Sequence, residues 1–233
     1  MFLVFKKKTL IVAGAFLLAA VLVGVAVTVA VSPIADTGIP KKNLTVVIDA
    51  GHGGIDGGVA GVSAKVKESD LNLAVTKKLE KHFKGYGVDA VLTRKDKNGL
   101  YGISSKGRKK RDMEKRKQII GEANPNLVIS VHMNSFPAQR KQRGAQVFYD
   151  KHNEAGKALA QSIQLFLSKN IPHSDRVTMQ GEYYILECTD KPAVIVECGF
   201  LSNSEDEALL ITAEHQEKLA YSIFCGAIAF LEF

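Results

Sequence analysis

Most of the chain alternates between short apolar runs and longer segments with helical spacing. The runs are rich in Val, Ile and Leu and are bounded by turn residues, which is typical of buried strands. The predicted strands cover residues 44–48, 88–92, 127–131, 145–149, 183–186 and 193–196. Apolar positions three or four residues apart predict helices over 70–85, 114–122, 154–167, 205–211 and 215–230. This alternation predicts a single α/β domain over residues 44–233, with a mainly parallel sheet of about six strands flanked by helices.

The N-terminal region has a different pattern. Three consecutive lysines (residues 6–8) precede residues 10–31, which contain neither a charge nor a proline. An apolar segment of about 20 residues can cross the hydrocarbon core of a membrane as a helix. We therefore predict a signal peptide or signal anchor over residues 1–32 and a linker over 33–43, and we favour a retained transmembrane anchor because cleaved signals have shorter apolar runs. The lysines would stay in the cytoplasm, so the domain would be exported or membrane-anchored outside it.

The positive charge of the chain is concentrated in two places. The net charge is +7 at pH 7, and the N-terminal lysines together with residues 106–117 carry more positive charge than that total. A nucleic-acid-binding protein would instead spread basic residues over a binding face, with aromatic residues among them. The pattern therefore argues against nucleic acid as a partner. Residues 106–117 could face anionic wall polymers, lipid head groups or only solvent.

The cysteine pattern excludes two common kinds of site. Cys188, Cys198 and Cys225 form no C-x-x-C pair, so the sequence contains neither a zinc ribbon nor a thioredoxin-type motif. An odd number of cysteines outside the cytoplasm leaves at least one free thiol. The apolar surroundings of Cys198 and Cys225 predict buried, inert side chains rather than nucleophiles.

Polar residues follow three of the predicted strands. His52 follows the first strand within a glycine-rich loop, His132 follows the third, and Glu197 follows the last. Because the carboxyl ends of parallel strands lie at one edge of a sheet, these side chains are expected to gather there. Glu68 stands near the start of the next helix, where the helix dipole alone could explain a carboxylate. Two histidines and a carboxylate suit a catalytic zinc site, and a capping or hydrogen-bonding role for each residue is the alternative.

Six blocks of sequence carry a resemblance to a known family. They occur in order at residues 49–54, 67–73, 92–94, 123–124, 130–135 and 192–203. Over roughly residues 44–231, the chain closely resembles the zinc-dependent N-acetylmuramoyl-L-alanine amidases of the amidase-3 type. The resemblance implies a Zn²⁺ ion held by His52, Glu68 and His132, and a catalytic role for Glu197.

The resemblance also implies a reaction. Enzymes of this family hydrolyse the amide bond that joins N-acetylmuramic acid to the L-alanine of the peptidoglycan stem peptide. Zinc would polarise the carbonyl, while Glu197 would take a proton from the attacking water and pass it to the leaving nitrogen. Ile195 and Met133 stand where the family usually has Leu and Ala, but neither position is a ligand. Arg176 is either a contact for a peptide carboxylate or a solvated loop residue.

The organisation of the chain bears on the type of amidase. The sequence has no internal repeats and no length left for a wall-binding module, so the N-terminal helix, a protein partner or peptidoglycan itself would anchor the enzyme. This organisation is similar to that of germination-specific spore-cortex amidases, whose action precedes muramic-δ-lactam formation, and a protein activator remains an open expectation. The alternatives are a vegetative autolysin or cell-separation amidase, a zinc peptidase, and a non-catalytic wall-binding protein of the same fold.

Overall fold

The structure is a computed structural model that describes residues 43–103 and 106–232. The predicted signal or anchor over residues 1–32 and nearly all of the linker lie outside these residues. Among the described residues, no helix combines the length and the apolar character needed to span a bilayer.

A six-stranded sheet forms the centre of the domain. Its strands are β1 (Thr45–Ala50), β2 (Asp89–Leu92), β3 (Leu127–Asn134), β4 (Gln146–Tyr149), β5 (Met179–Gln180) and β6 (Ala193–Phe200). Their order across the sheet is β2-β1-β3-β6-β4-β5. The first four strands in that order are parallel, whereas β4 runs antiparallel to β6 and parallel to β5. The predicted mainly parallel sheet is confirmed.

Helices cover both faces of the sheet. They are α1 (Glu68–Tyr86), α2 (Arg108–Ala123), α3 (Glu154–Asn170), α4 (Tyr184–Glu187), α5 (Ser204–Leu210) and α6 (Ala213–Glu232). The larger core lies between one face and α1, α3, α5 and α6, and the smaller core lies under α2 and α4. Neighbouring residues of β1 point to opposite faces, so Val46 and Ile48 join the larger core while Val47 joins the smaller one. This two-sided burial explains why the first half of each central strand is almost entirely apolar.

Two sequence predictions were wrong in detail. Residues 183–186 were predicted as a strand, but Ile185 and Leu186 fill the smaller core from the short helix α4, and the outer strand is β5. An apolar run of this length carries too little periodicity to distinguish strand from helix. The helix predicted over 114–122 in fact begins earlier, at Arg108. Its first turn is basic and exposed, so it lacks the apolar positions from which a helix can be predicted.

All three cysteines are free thiols. Cys198 is buried as predicted, and burial together with the negative charge of Glu197 raises the pKa of its thiol, so it stays protonated. Cys225 is only half-buried, contrary to the prediction, because it lies at the edge of the face that α6 packs on the core.

Candidate metal centre

The sheet brings together the residues that the sequence singled out. His52 lies two residues beyond β1, whereas His132 and Glu197 lie within the second halves of β3 and β6. Both strands extend further than predicted, so these two side chains stand on the sheet rather than after it. His132 and Glu197 are direct partners in the register of the two strands and therefore share one face.

Three side chains converge on a single point. Nε2 of His52 lies 3.2 Å from Oε1 of Glu68, and Nδ1 of His132 lies 2.9 Å from the same oxygen. One donor atom from each residue lies within 4.8 Å of the other two. Two imidazole nitrogens and one carboxylate oxygen suit a divalent ion such as Zn²⁺, with a fourth position left for water or substrate.

Glycines make this close approach feasible. A Cβ atom on Gly51 would lie 2.2 Å from two atoms of the His132 ring, and a Cβ on Gly58 would lie 2.4 Å from Oε2 of Glu68. A side chain at either position would displace one of the three converging residues. The glycine-rich loop therefore supplies His52 and also leaves room for the other two side chains.

Further contacts fix the orientation of each converging side chain. Nδ1 of His52 lies 2.9 Å from Oδ2 of Asp56, which leaves Nε2 directed at Glu68. The backbone N–H of Val59 donates a 3.0 Å hydrogen bond to Oε2 of Glu68, so that Oε1 faces the histidines. His52 itself has a φ of 60°, a left-handed conformation that is rare for residues with a side chain. Such strain is concentrated at functional sites.

A buried network of charges lies beneath the loop that carries His52. Arg116 is 2% exposed; it pairs with Asp49, which is equally buried, and donates to the backbone carbonyls of Ala50 and His52. Arg94 also donates to carbonyls of this loop, at Ala50 and Gly51. No role for Arg116 was predicted from sequence, because it is one of many basic residues in its segment. Arg94 was noted only within one of the six blocks that carry the family resemblance.

Hydrogen bonds and charges within this group shift the pKa values of Glu68 and His52. Burial opposes the ionisation of Glu68, but hydrogen bonds from His132 and His52 outweigh burial and hold the pKa of Glu68 far below its usual range. Burial also opposes the charge on His52, but Glu68 and Asp56 outweigh it and raise the pKa of His52 to about 9. The group is therefore a strongly coupled cluster in which a carboxylate stays ionised.

Glu197 has a different environment. Its Oε2 atom is buried and has no hydrogen-bond partner within the described part of the chain. Burial raises the pKa of Glu197 to about 7; the positive charge of His132 opposes this shift, whereas the negative charge of Glu68 adds to it. A carboxyl group whose pKa lies near neutrality can both accept and donate a proton at physiological pH. Another carboxylate of this region, Glu182, instead pairs with Lys151 on the surface at 3.0 Å.

Comparison with known proteins agrees with this geometry. The family model described as N-acetylmuramoyl-L-alanine amidase, Amidase_3, matches residues 46–229. The chain belongs to this family. It is a peptidoglycan amidase of the amidase-3 type, as the sequence motifs predicted.

Three individual amidases illustrate the similarity of this chain to the amidase-3 family. A germination-specific N-acetylmuramoyl-L-alanine amidase of Bacillus subtilis is 32% identical over 196 residues, covering 82% of this chain and 81% of that protein. The CwlD amidase of Clostridioides difficile, solved in complex with the GerS lipoprotein, is 35% identical, with a TM-score of 0.77 over 82% of this chain and 99% of that chain. The catalytic domain of the CwlV amidase from Bacillus (Paenibacillus) polymyxa is 30% identical, with a TM-score of 0.72 over 81% and 98% of the two chains.

Proposed function

We propose that this protein hydrolyses the amide bond between N-acetylmuramic acid and the L-alanine of the stem peptide, using Zn²⁺ held by His52, Glu68 and His132. One observation carries the proposal: the three donor atoms lie within 4.8 Å of one another, next to a buried carboxyl group with an unpartnered oxygen. The donor set supports zinc because it offers two nitrogens, one oxygen and an open side.

Glu197 is the general base and acid in this proposal. A bound zinc ion would polarise the scissile carbonyl and favour ionisation of water at neutral pH. Oε2 of Glu197 accepts the proton of the attacking water and then passes it to the departing nitrogen of L-alanine. The pKa of about 7 suits both halves of this transfer, since neither protonation state is strongly preferred at neutral pH.

The biological setting in this proposal is the spore cortex, outside the cytoplasm. The support comes from the germination-specific relative of Bacillus subtilis and from the likeness to CwlD. The N-terminal helix predicted over residues 1–32 would attach the enzyme to the membrane. Because CwlD was solved with the GerS lipoprotein, a protein partner also belongs to the proposal.

The reaction is tested by product analysis of peptidoglycan treated with the purified protein. An amidase releases intact stem peptides that begin with L-alanine, whereas a peptidase releases shorter fragments. Glu197→Gln keeps the size of the side chain but cannot accept the proton, so turnover should fall by about 10²–10⁴-fold while zinc content stays unchanged.

A matched variant controls for the loss of a carboxylate near the site. Glu187 lies exposed at the end of α4, and Glu187→Gln should retain full activity. Activity of Glu197→Gln within a few-fold of the parent protein would place the base elsewhere. Loss of zinc together with activity would instead make Glu197 a ligand.

The proposed role in the spore cortex and the proposed zinc ligands are tested separately. Spores that lack this protein should have little muramic-δ-lactam, and a normal content would remove the cortex role in favour of a vegetative amidase. The purified protein should bind about one zinc ion per chain, and His132→Ala and His52→Ala should each lose most of it. Full zinc retention in both variants would overturn the ligand assignment.

A further inference from the structure

A cavity lies beside the site at the same edge of the sheet. It has a volume of about 280 Å³ and is lined by Asn134, Ser135, Phe136, Gln142, Gln146, Arg176 and Phe200. Because β4 is antiparallel to β6, the first residue of β4, Gln146, is the direct register partner of Glu197. Gln146 and Glu197 therefore share a face of the sheet. The cavity therefore lies on the same face of the sheet as the proposed general base, and Gln146 is the lining residue opposite it.

Arg176 is the positively charged residue of this cavity. Its guanidinium donates to three neutral oxygens, namely the carbonyl of Arg143 and the side-chain oxygens of Gln142 and Gln146. These three bonds use one N–H group on each nitrogen, so one N–H on each terminal nitrogen remains for a ligand. The guanidinium also lies 4.9 Å from the centre of the Phe200 ring, which holds its plane in place.

The charge of Arg176 is not balanced by a neighbouring carboxylate. Within residues 43–103 and 106–232, no aspartate or glutamate forms a salt bridge with it, whereas Arg143 on the same side of the cavity pairs with both Glu205 and Asp206. A half-buried guanidinium with two unused N–H groups is suited to bind one carboxylate through both of its oxygens.

The chemistry of the proposed substrate offers carboxylates on its peptide side, and the first of them after the scissile bond belongs to the residue that follows L-alanine. The glycan around the scissile bond is uncharged, because the lactyl carboxyl group is itself part of the amide. The peptide is the anionic side, and the glutamate that follows L-alanine is joined through its side chain and keeps a free α-carboxylate.

We infer that the cavity beside Glu197 is a subsite for the stem peptide, in which Arg176 binds the free α-carboxylate of the second peptide residue. This inference rests on the proposed function. It makes Arg176 a residue that determines specificity for an acidic rather than an amidated stem peptide. Sequence alone left Arg176 open between a contact for a peptide carboxylate and a solvated loop position, and its place in the cavity supports the first.

The test compares two substrates that differ in one group. The full chain is given peptidoglycan whose second peptide residue carries either the α-carboxylate or the corresponding α-amide, and kcat/KM is measured for each. The parent protein should prefer the carboxylate by about 10- to 100-fold, the range for a hydrogen-bonded contact with a charged group. Arg176→Gln should lose that preference by slowing cleavage of the acid, while cleavage of the amide changes by a few-fold at most.

Controls separate recognition from structural damage. Lys141→Gln removes a positive charge from an exposed position near the cavity and should keep the full preference of the parent protein. The affinity of Glu197→Gln for each substrate is also measured. This measurement repeats the comparison without turnover and leaves Arg176 unchanged. The inference would be overturned if the parent protein had the same kcat/KM for the two substrates. It would also be overturned if a folded Arg176→Gln variant lost kcat/KM to the same extent for both. Cleavage of neither substrate by the parent would count against the proposed function instead.

Discussion

Nδ1 of His52 lies 2.9 Å from Oδ2 of Asp56, and the opposite nitrogen of the ring faces Glu68. This arrangement matches the carboxylate–histidine pairs that orient metal ligands in proteins. Asp56 would thus fix the ring orientation of His52 and strengthen it as a ligand, while the three converging donor atoms come from His52, Glu68 and His132.

Replacing Asp56 should therefore weaken metal binding without removing a ligand. We expect Asp56→Asn to lower zinc affinity by about 10- to 100-fold, the usual effect of losing such a supporting carboxylate. Competition with a chromophoric chelator measures the affinity. Asp190→Asn, at an exposed position in the turn before β6, is the matched control and should bind zinc like the parent protein. An unchanged affinity in Asp56→Asn would contradict the orienting role.

Gly51→Ala should damage the site more than the fold. The added Cβ would lie 2.2 Å from the His132 ring, so the imidazole must move away from Glu68. We expect zinc binding to fall by at least an order of magnitude, while the protein still unfolds cooperatively in urea. Gly85→Ala is the control: nothing lies within 4 Å of the new atom, and alanine favours a helix by about 0.5–1 kcal/mol. Normal zinc binding by Gly51→Ala would show that the close approach is unimportant.

Zinc binding should release protons from the metal-free protein. His52 has a pKa of about 9, raised by Glu68 and Asp56 against the opposing effect of burial, so below pH 9 its ring is protonated and must lose that proton to bind a metal. Glu68 is already ionised because its pKa lies far below the usual range. Zinc affinity should therefore rise about tenfold per pH unit from pH 7 to 9. Calorimetry in two buffers with different ionisation enthalpies would measure the released proton. A zinc affinity that does not change with pH would show that no proton is released.

The buried pair of Asp49 and Arg116 should dominate the stability of the loop above it. Asp49→Ala leaves a fully buried guanidinium with one fewer partner, and removing one member of such a pair costs about 3–5 kcal/mol. Asp112→Ala should cost less, because Asp112 bonds Arg116 from a more exposed position, at 2.7 Å. Urea unfolding measures both variants. The prediction would be wrong if Asp49→Ala lowered the free energy of unfolding by less than Asp112→Ala does.

The parts of the fold that could be predicted from sequence are those buried on both faces. The strands β1, β3 and β6 each contain a run of apolar residues because helices cover each side, and their polar residues fall mostly towards the carboxyl ends. From the ends of these strands, the position of His52, His132 and Glu197 at one edge followed directly. The role of Glu68 came from family resemblance, since a glutamate at a helix start has an ordinary explanation.

The parts that could not be predicted depend on long-range contacts. The direction of β4 is invisible in its own sequence, yet it is what sets Gln146 opposite Glu197. Within α2, Arg116 is buried beside its partner Asp49, which lies 67 positions earlier in the chain. Local patterns record which residues are apolar, but they do not record which distant charge a buried arginine will meet.

The two halves of the site come from separate stretches of the chain. The converging residues and Glu197 stand on strands, just after β1 or at the start of α1, whereas the cavity wall comes mostly from the connections that follow β3 and α3. Connections of this kind accept insertions and replacements far more readily than core strands do. During evolution, the preferred peptide could therefore change through these connections while the hydrolytic apparatus stayed intact. Enzymes with one chemistry could in this way diverge to serve walls of different composition.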